Sequence, residues 1–188
     1  MCAVRMPSLA TNHIVVSLLA IQSHSQVPWV GEGVSIALGN LALCDENRVA
    51  QAPGAVDAVA STFTLHGADP AVATATTVAL RNMLRGVDSE EAASACAPAV
   101  VPLVRAAAMH SAVGGIVLAA MTALHCLSVS PSNCTAAVAS GALPVVTAQL
   151  EAAAAALDGD SCSPALGLLK MNLDTLIRLA LQVRCRCS

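Results

Sequence analysis

The amino-acid sequence predicts an all-α fold, a stack of short helices in which one unit recurs about four times. Three observations carry that expectation. Hydrophobic residues make up 56% of the chain but aromatics only 1%, so the apolar mass is Ala, Val and Leu. Ala and Leu lose little rotamer freedom in a helix, and small Ala side chains let helices approach closely. Glycine and proline punctuate the chain at short intervals, which keeps the helices short. The same landmarks then recur at near-constant spacing. The 188 residues suffice for one domain with a sizeable interior.

In chain order, the first helix is expected over 8–23, opened by Ser8, and the second over 29–43. Gly31 and Gly33 lie inside or just before this second helix and blur its start. A short helix over 46–52 and a longer one over 54–65 follow. Asp69-Pro70 opens a helix over 70–85, because proline is tolerated in a first turn where its missing N–H would be unpaired anyway. Ser89 opens 89–96, and helices over 99–109 and 113–128 come next. Ser132 opens 132–139, 141–156 follows, and Ser163-Pro164 opens 164–182.

The recurrence is read from two landmarks. "ALGNL" at 37–41, "ALRNM" at 79–83, "ALHCL" at 123–127 and "ALGLL" at 165–169 stand at offsets of 42, 44 and 42 residues. "GAVDAV" from Gly54, "AVVPLV" from Ala99 and "GALPVV" from Gly141 follow at offsets of 45 and 42. The variation falls in the loop and short-helix region between them, where insertions are tolerated. The order of landmarks resembles the armadillo (β-catenin-like) repeat: a helix ending in A-L-x-N-L, a loop, a short helix, then G-A-hydrophobic-P opening the next. "ALGNLALCDENRVAQAPGAVDAV" and "ALHCLSVSPSNCTAAVASGALPVV" follow the pattern closely, the latter with Pro144 in the proline position. The third copy lacks the glycine but keeps Pro102. HEAT repeats have similar length and are the family most readily confused with this one.

The resemblance covers nearly the whole chain and implies a right-handed α-solenoid over 1–188. Its units would be a partial 6–43, then 44–85, 86–128 and 129–183, with 184–188 as a tail. It further implies a non-catalytic scaffold whose third helices form a concave groove for an extended segment of another protein. In the family an Asn of the third helix faces that groove; it is present as Asn40 and Asn82, while Cys126 and Leu168 stand in the later copies. The nuclear-import receptors carry Trp four residues before that Asn, where this chain has Ile36, Val78 and Thr122. Without those aromatic slots or an acidic ladder, a basic nuclear-localisation peptide is not the expected ligand. The candidate groove residues are therefore Ile36, Asn40, Val78, Arg81, Asn82, Thr122 and Cys126. Arg48, Arg81 and Arg85, the last two sharing a helix face, could meet an acidic ligand or simply pair with Asp45, Glu46 or Asp88.

Composition restricts the alternatives. The net charge is −3, there is no basic stripe, and stacking aromatics are nearly absent, which argues against nucleic acid. No Asp, Glu, Lys or Arg occurs between Arg105 and Glu151, but "AVGGIVLAAMTAL" at 112–124 is shorter than the roughly 20 residues a membrane span needs. "IVVSLLAI" at 14–21 weakly resembles a signal-peptide core, and the repeat register runs back into it. The cysteines are mostly scattered singly, as small buried hydrophobes in a reducing compartment would be. A cytoplasmic setting is expected, with nuclear or cytoskeleton-associated variants open, and the "NCT" sequon at 133–135 carries no weight there.

No catalytic, cofactor or metal constellation is expected. No His has a second His or Cys three or four positions away, and His125 and Cys126, adjacent on one helix, point about 100° apart. "DGDS" at 158–161 lacks the later carboxylates of a calcium loop. Two features stay open. Cys185 and Cys187 beside Arg184 and Arg186 could be acylated or form a frayed tail. The terminal helices are poorly polar for solenoid caps, so the ends could pair with another chain.

Overall fold

The protein is described from a computed structural model over residues 16–45, 54–157 and 170–181, and among these all regular structure is helical. Ten α-helices are seen: α1 (16–23), α2 (Pro28–Leu41), α3 (Gly54–His66), α4 (Pro70–Leu84), α5 (Glu90–Ala95), α6 (Val100–Met109), α7 (Gly114–Leu127), α8 (Pro131–Ala139), α9 (Ala142–Leu157) and α10 (170–181). A 3-10 turn, Ala97–Ala99, leads into α6. The expected helix over 46–52 and the expected start at Ser163-Pro164 lie outside the described residues.

Local chemistry explains the helix starts. Asp69 accepts a hydrogen bond from Ala71 N at 2.8 Å, with Pro70 in the first turn of α4. Ser89 caps α5 through Ala92 N at 3.2 Å. Before α8 the sequence signal misleads by a residue or two: the helix opens on Pro131, and Ser130 makes no cap. Ser130 is fully buried, and its hydroxyl sits 2.8 Å from both Ser94 Oγ and Ser132 Oγ. α2 opens on Pro28 with no side-chain cap at Val27, which places Gly31 and Gly33 inside it. Gly86 and Gly141, with φ of +83° and +86°, turn the chain out of α4 and into α9, a backbone region that disfavours other residues.

The helices fall into series that repeat along the chain. α2 packs on α4 and α4 on α7; α3 packs on α6 and α6 on α9; α5 packs on α8. From α3 onward these pairs join a helix to the one three places later, while α2 meets the helix two places later. The interior is aliphatic, with Leu38, Leu80, Leu84, Leu103, Ile116, Met121 and Leu127 among its largest fully buried side chains. Alanine supplies much of the rest, including Ala73, Ala79, Ala106, Ala119, Ala120 and Ala123. The α2–α4 crossing is closest at Gly39, where a Cβ would stand 2.9 Å from Ala79 Cα. Small residues at that point bring the two helices together.

Buried hydroxyls are dealt with inside their own helices. Ser35, Thr62, Thr76 and Thr77 each donate to the carbonyl four residues back, at 2.7 to 3.0 Å. Carbonyls near helix ends also accept from asparagine side chains of the following unit. Asn82 Nδ2 donates to Gly39 O in the last turn of α2, 43 positions earlier, at 3.1 Å. Asn133 Nδ2 donates to Leu127 O, the last residue of α7, at 3.2 Å and to Ala93 O at 2.7 Å.

Histidines play the same part on the opposite edge of the stack. His66 Nε2 donates to Ser25 O at 2.6 Å and His110 Nε2 donates to Gly67 O at 2.7 Å, spanning 41 and 43 positions. A carbonyl can only accept, so Nε2 carries the hydrogen in both rings. The turn is the same each time: Val27 N, Asp69 N and Val113 N donate to the carbonyls of His24, His66 and His110. His24, His66 and His110 thus mark a third periodic landmark, at offsets of 42 and 44 residues.

Candidate functional site

A cleft of about 360 Å³ lies between α2 and α4. Gly39, Ala75, Ala79 and Ser35 make its floor, because the close Gly39–Ala79 crossing leaves no bulk there. Ile36 and Val78 form apolar walls, and Glu32, Asn40, Thr74 and Asn82 supply the polar lining. Ile36 is 48% exposed although large and aliphatic. Glu32 is half-buried and Asn40 exposed.

Four of the seven groove positions expected from the sequence, Ile36, Asn40, Val78 and Asn82, come together here. The two asparagines differ in what they are free to do. Asn82 is 8% exposed and committed: Nδ2 donates to Gly39 O, while Oδ1 accepts from Arg81 Nε at 3.3 Å and Arg81 Nη2 at 3.1 Å. It ties α4 to α2 and orients Arg81 at the rim. The Asn40 carboxamide has no hydrogen-bond partner among the described residues, so both its acceptor and its donors face solvent. Arg81 meets Asn82 rather than any of the acidic residues expected for it, and Arg85 is exposed.

Thr122 and Cys126 lie on α7, outside this lining. Thr122 Oγ1 donates to Leu118 O at 2.8 Å. The Cys126 thiol is pushed up by burial, opposed by hydrogen bonds with the Gly86 backbone and its own backbone and by the Arg178 guanidinium. Burial also raises the Cys96 and Cys134 thiols, which keeps them protonated and poorly nucleophilic.

His125 and Cys126 engage different neighbours, as expected for adjacent helical positions. His125 Nδ1 stands 3.1 Å from Thr175 Oγ1 on α10. Thr175 gives its single hydroxyl hydrogen to Met171 O, so Nδ1 is the donor. Burial pushes the imidazole below its ordinary value, Arg178 pushes the same way and Asp174 opposes. Arg178 Nη1 also donates to Ser128 Oγ at 3.3 Å. These α7–α10 pairs are 50 positions apart, against 43 for Gly39 and Asn82. The "ALGLL" landmark at 165–169 lies outside the described residues, so these pairs leave its register untested. "ALGLL" with Leu168, the "DGDS" stretch, Arg48, Cys185 and Cys187 lie outside the described residues.

Among the described residues no group of three His, Cys, Asp or Glu side chains could hold a metal ion, and no helix is long and apolar enough to cross a membrane. Asn133 of the sequon is 2% exposed with its amide nitrogen engaged by two carbonyls, so the folded chain does not present it. Sequence reasoning missed Glu32, Ser35 and Thr74 as cleft residues. Glu32 and Thr74, each one turn before Ile36 or Val78 on the same helix face, carried a usable signal. The histidine series was also missed, although its spacing matches the Ala-Leu landmark. Neither a scan against models of protein families nor a search of curated proteins returns a match.

Proposed function

We propose that the chain is a non-catalytic, armadillo-like interaction module, a right-handed α-solenoid that holds an extended segment of another protein against its third helices. The observation that carries this reading is the α2–α4 cleft, on which Ile36, Asn40, Val78 and Asn82 meet although Ile36 and Asn40 lie 42 positions from their counterparts. The repeated packing of α2 on α4 and of α4 on α7 supports a stacked superhelix with a continuous face of third helices. Affinity would come from aliphatic area on Ile36 and Val78, with Asn40 hydrogen-bonding the partner's backbone through both halves of its amide. A cytoplasmic setting is supported by Cys96, Cys126 and Cys134 being free thiols. Nucleic acid and lipid are not the proposed partners.

The test is affinity purification of the intact chain beside an Ile36→Glu, Asn40→Ala double variant. Both side chains are exposed, so the fold tolerates the change. The expected result is loss of the specifically captured proteins from the variant. Equal capture by both forms removes the groove from the reading.

One observation favours a second reading, a structural segment that associates through its end. Leu173, Ile177 and Leu181 stand at successive turns of α10 and are 48%, 49% and 55% exposed. Three large aliphatic side chains in one stripe on the last described helix suit a contact between chains.

A further inference from the structure

The α2–α4 cleft has a carboxylate in its lining at one end and, at the other, a guanidinium just outside the lining, held by Asn82. Gly39 meets Ala79 and Asn82 at one end, while Glu32 and Ala71 line the other, so the two helices run the same way. Glu32 is the one charged residue in the lining. Asp69 joins it at that end by capping Ala71 N. At the other end, Asn82 Oδ1 holds Arg81 by Nε and one Nη2 hydrogen, which leaves the Nη1 side of the guanidinium fork for a carboxylate. Exposed Arg85 is the C-cap of the same helix. Neither Glu32 nor Arg81 is in an ion pair among the described residues.

Eight residues of helical rise put Glu32 about 12 Å from the Asn40 level. An extended chain covers that distance in three to four residues at about 3.3 Å each. The cleft volume lies within the ~300–1,000 Å³ range of ligand sites. Resting on the groove reading above, we infer that this cleft selects a bipolar peptide segment. The segment has one basic and one acidic residue three or four positions apart, with aliphatic side chains between them. The cation lies at Glu32, the carboxylate at Arg81, and the aliphatic side chains rest on Ile36 and Val78. A wholly basic segment meets Arg81 and a wholly acidic one meets Glu32, so each is rejected by like charge.

The experiment is selection of displayed random heptapeptides on the intact chain, on Glu32→Lys, on Arg81→Glu and on the double reversal. The layout also complements the helix dipoles, so the sequence pattern of bound peptides, rather than stability, is the readout. The unaltered chain should enrich peptides with one charge of each sign. Glu32→Lys should enrich doubly acidic ones, Arg81→Glu doubly basic ones, and the double reversal should return to mixed sign. Each mismatched charge should weaken a given peptide by about three- to fivefold, as for partly exposed ion pairs. Peptides that bind and are lost on Ile36→Glu, but whose charges do not follow the reversals, overturn bipolar selection and leave the groove reading standing. If no enriched peptide is lost on Ile36→Glu, both fall. Circular dichroism checks each fold. Should Arg81→Glu unfold, Glu32→Lys alone decides, because the Glu32 side chain has no described partner to lose.

Discussion

Asn40 and Asn82 occupy the same place in consecutive units, yet their surroundings give them different work. Asn82 bridges two helices, and its loss leaves Gly39 O at a helix end without its donor. Asn82→Ala should lower stability by about 1–3 kcal/mol, whereas Asn40→Ala should stay within about 0.5 kcal/mol, both read by urea denaturation. Equal effects would mean that Asn82 does not tie α4 to α2. His125 makes a pH prediction. Its native pKa is lowered, so the unfolded chain binds more protons once the pH drops below the ordinary imidazole value of about 6.5. The contribution of neutral His125 is intact above that value and is lost as pH falls through the lowered native pKa. Melting temperature should therefore decline between about pH 7 and pH 5, and less steeply in His125→Gln. Parallel profiles for the two proteins would contradict this.

At the scale of elements, consecutive units are joined by side chains reaching back to helix-end carbonyls. His110 is 9% exposed and donates to Gly67 O, while the equivalent His66 is more open. His110→Ala should cost about 1–3 kcal/mol, the penalty for orphaning a buried carbonyl, and His66→Ala should cost less. Hydrogen exchange should show faster opening at Asp69 N and Val113 N, the turn amides beside these contacts. Unchanged protection in His110→Ala would reduce the contact to an accident of packing. Helix existence was legible among the described residues, because capping and proline signals such as Asp69-Pro70 act within a few residues. The misread start at Ser132 shows the limit: Ser130 spends its hydroxyl on Ser94, a neighbour 36 positions away.

At the scale of the molecule, the half from α7 to α9 is built without formal charge between Arg105 and Glu151, and α10 adds an apolar stripe. If that stripe is a contact between chains, light scattering should give a mass that rises with concentration, and Ile177→Asp should return it to the monomer value. A constant monomer mass at all concentrations removes the second reading. Two helices of the same series meet at 43 positions in the first half of the stack and at 50 in the last, so register is kept locally rather than by one fixed period. The longer α9, 16 residues against 13 in α3 and 10 in α6, accompanies that shift.

The sequence alone determined the helical class and nearly every helix boundary among the described residues, because these follow from propensity and capping, while its resemblance to a repeat family pointed to Ile36, Asn40, Val78 and Asn82. Only the tertiary structure decided that Asn82 is already committed to Gly39 and Arg81, that His66 and His110 join successive turns, and that Glu32 lies in the same cleft. These depend on which atoms face each other across helices some forty residues apart, and side-chain direction across a packed interface is set by the packing itself.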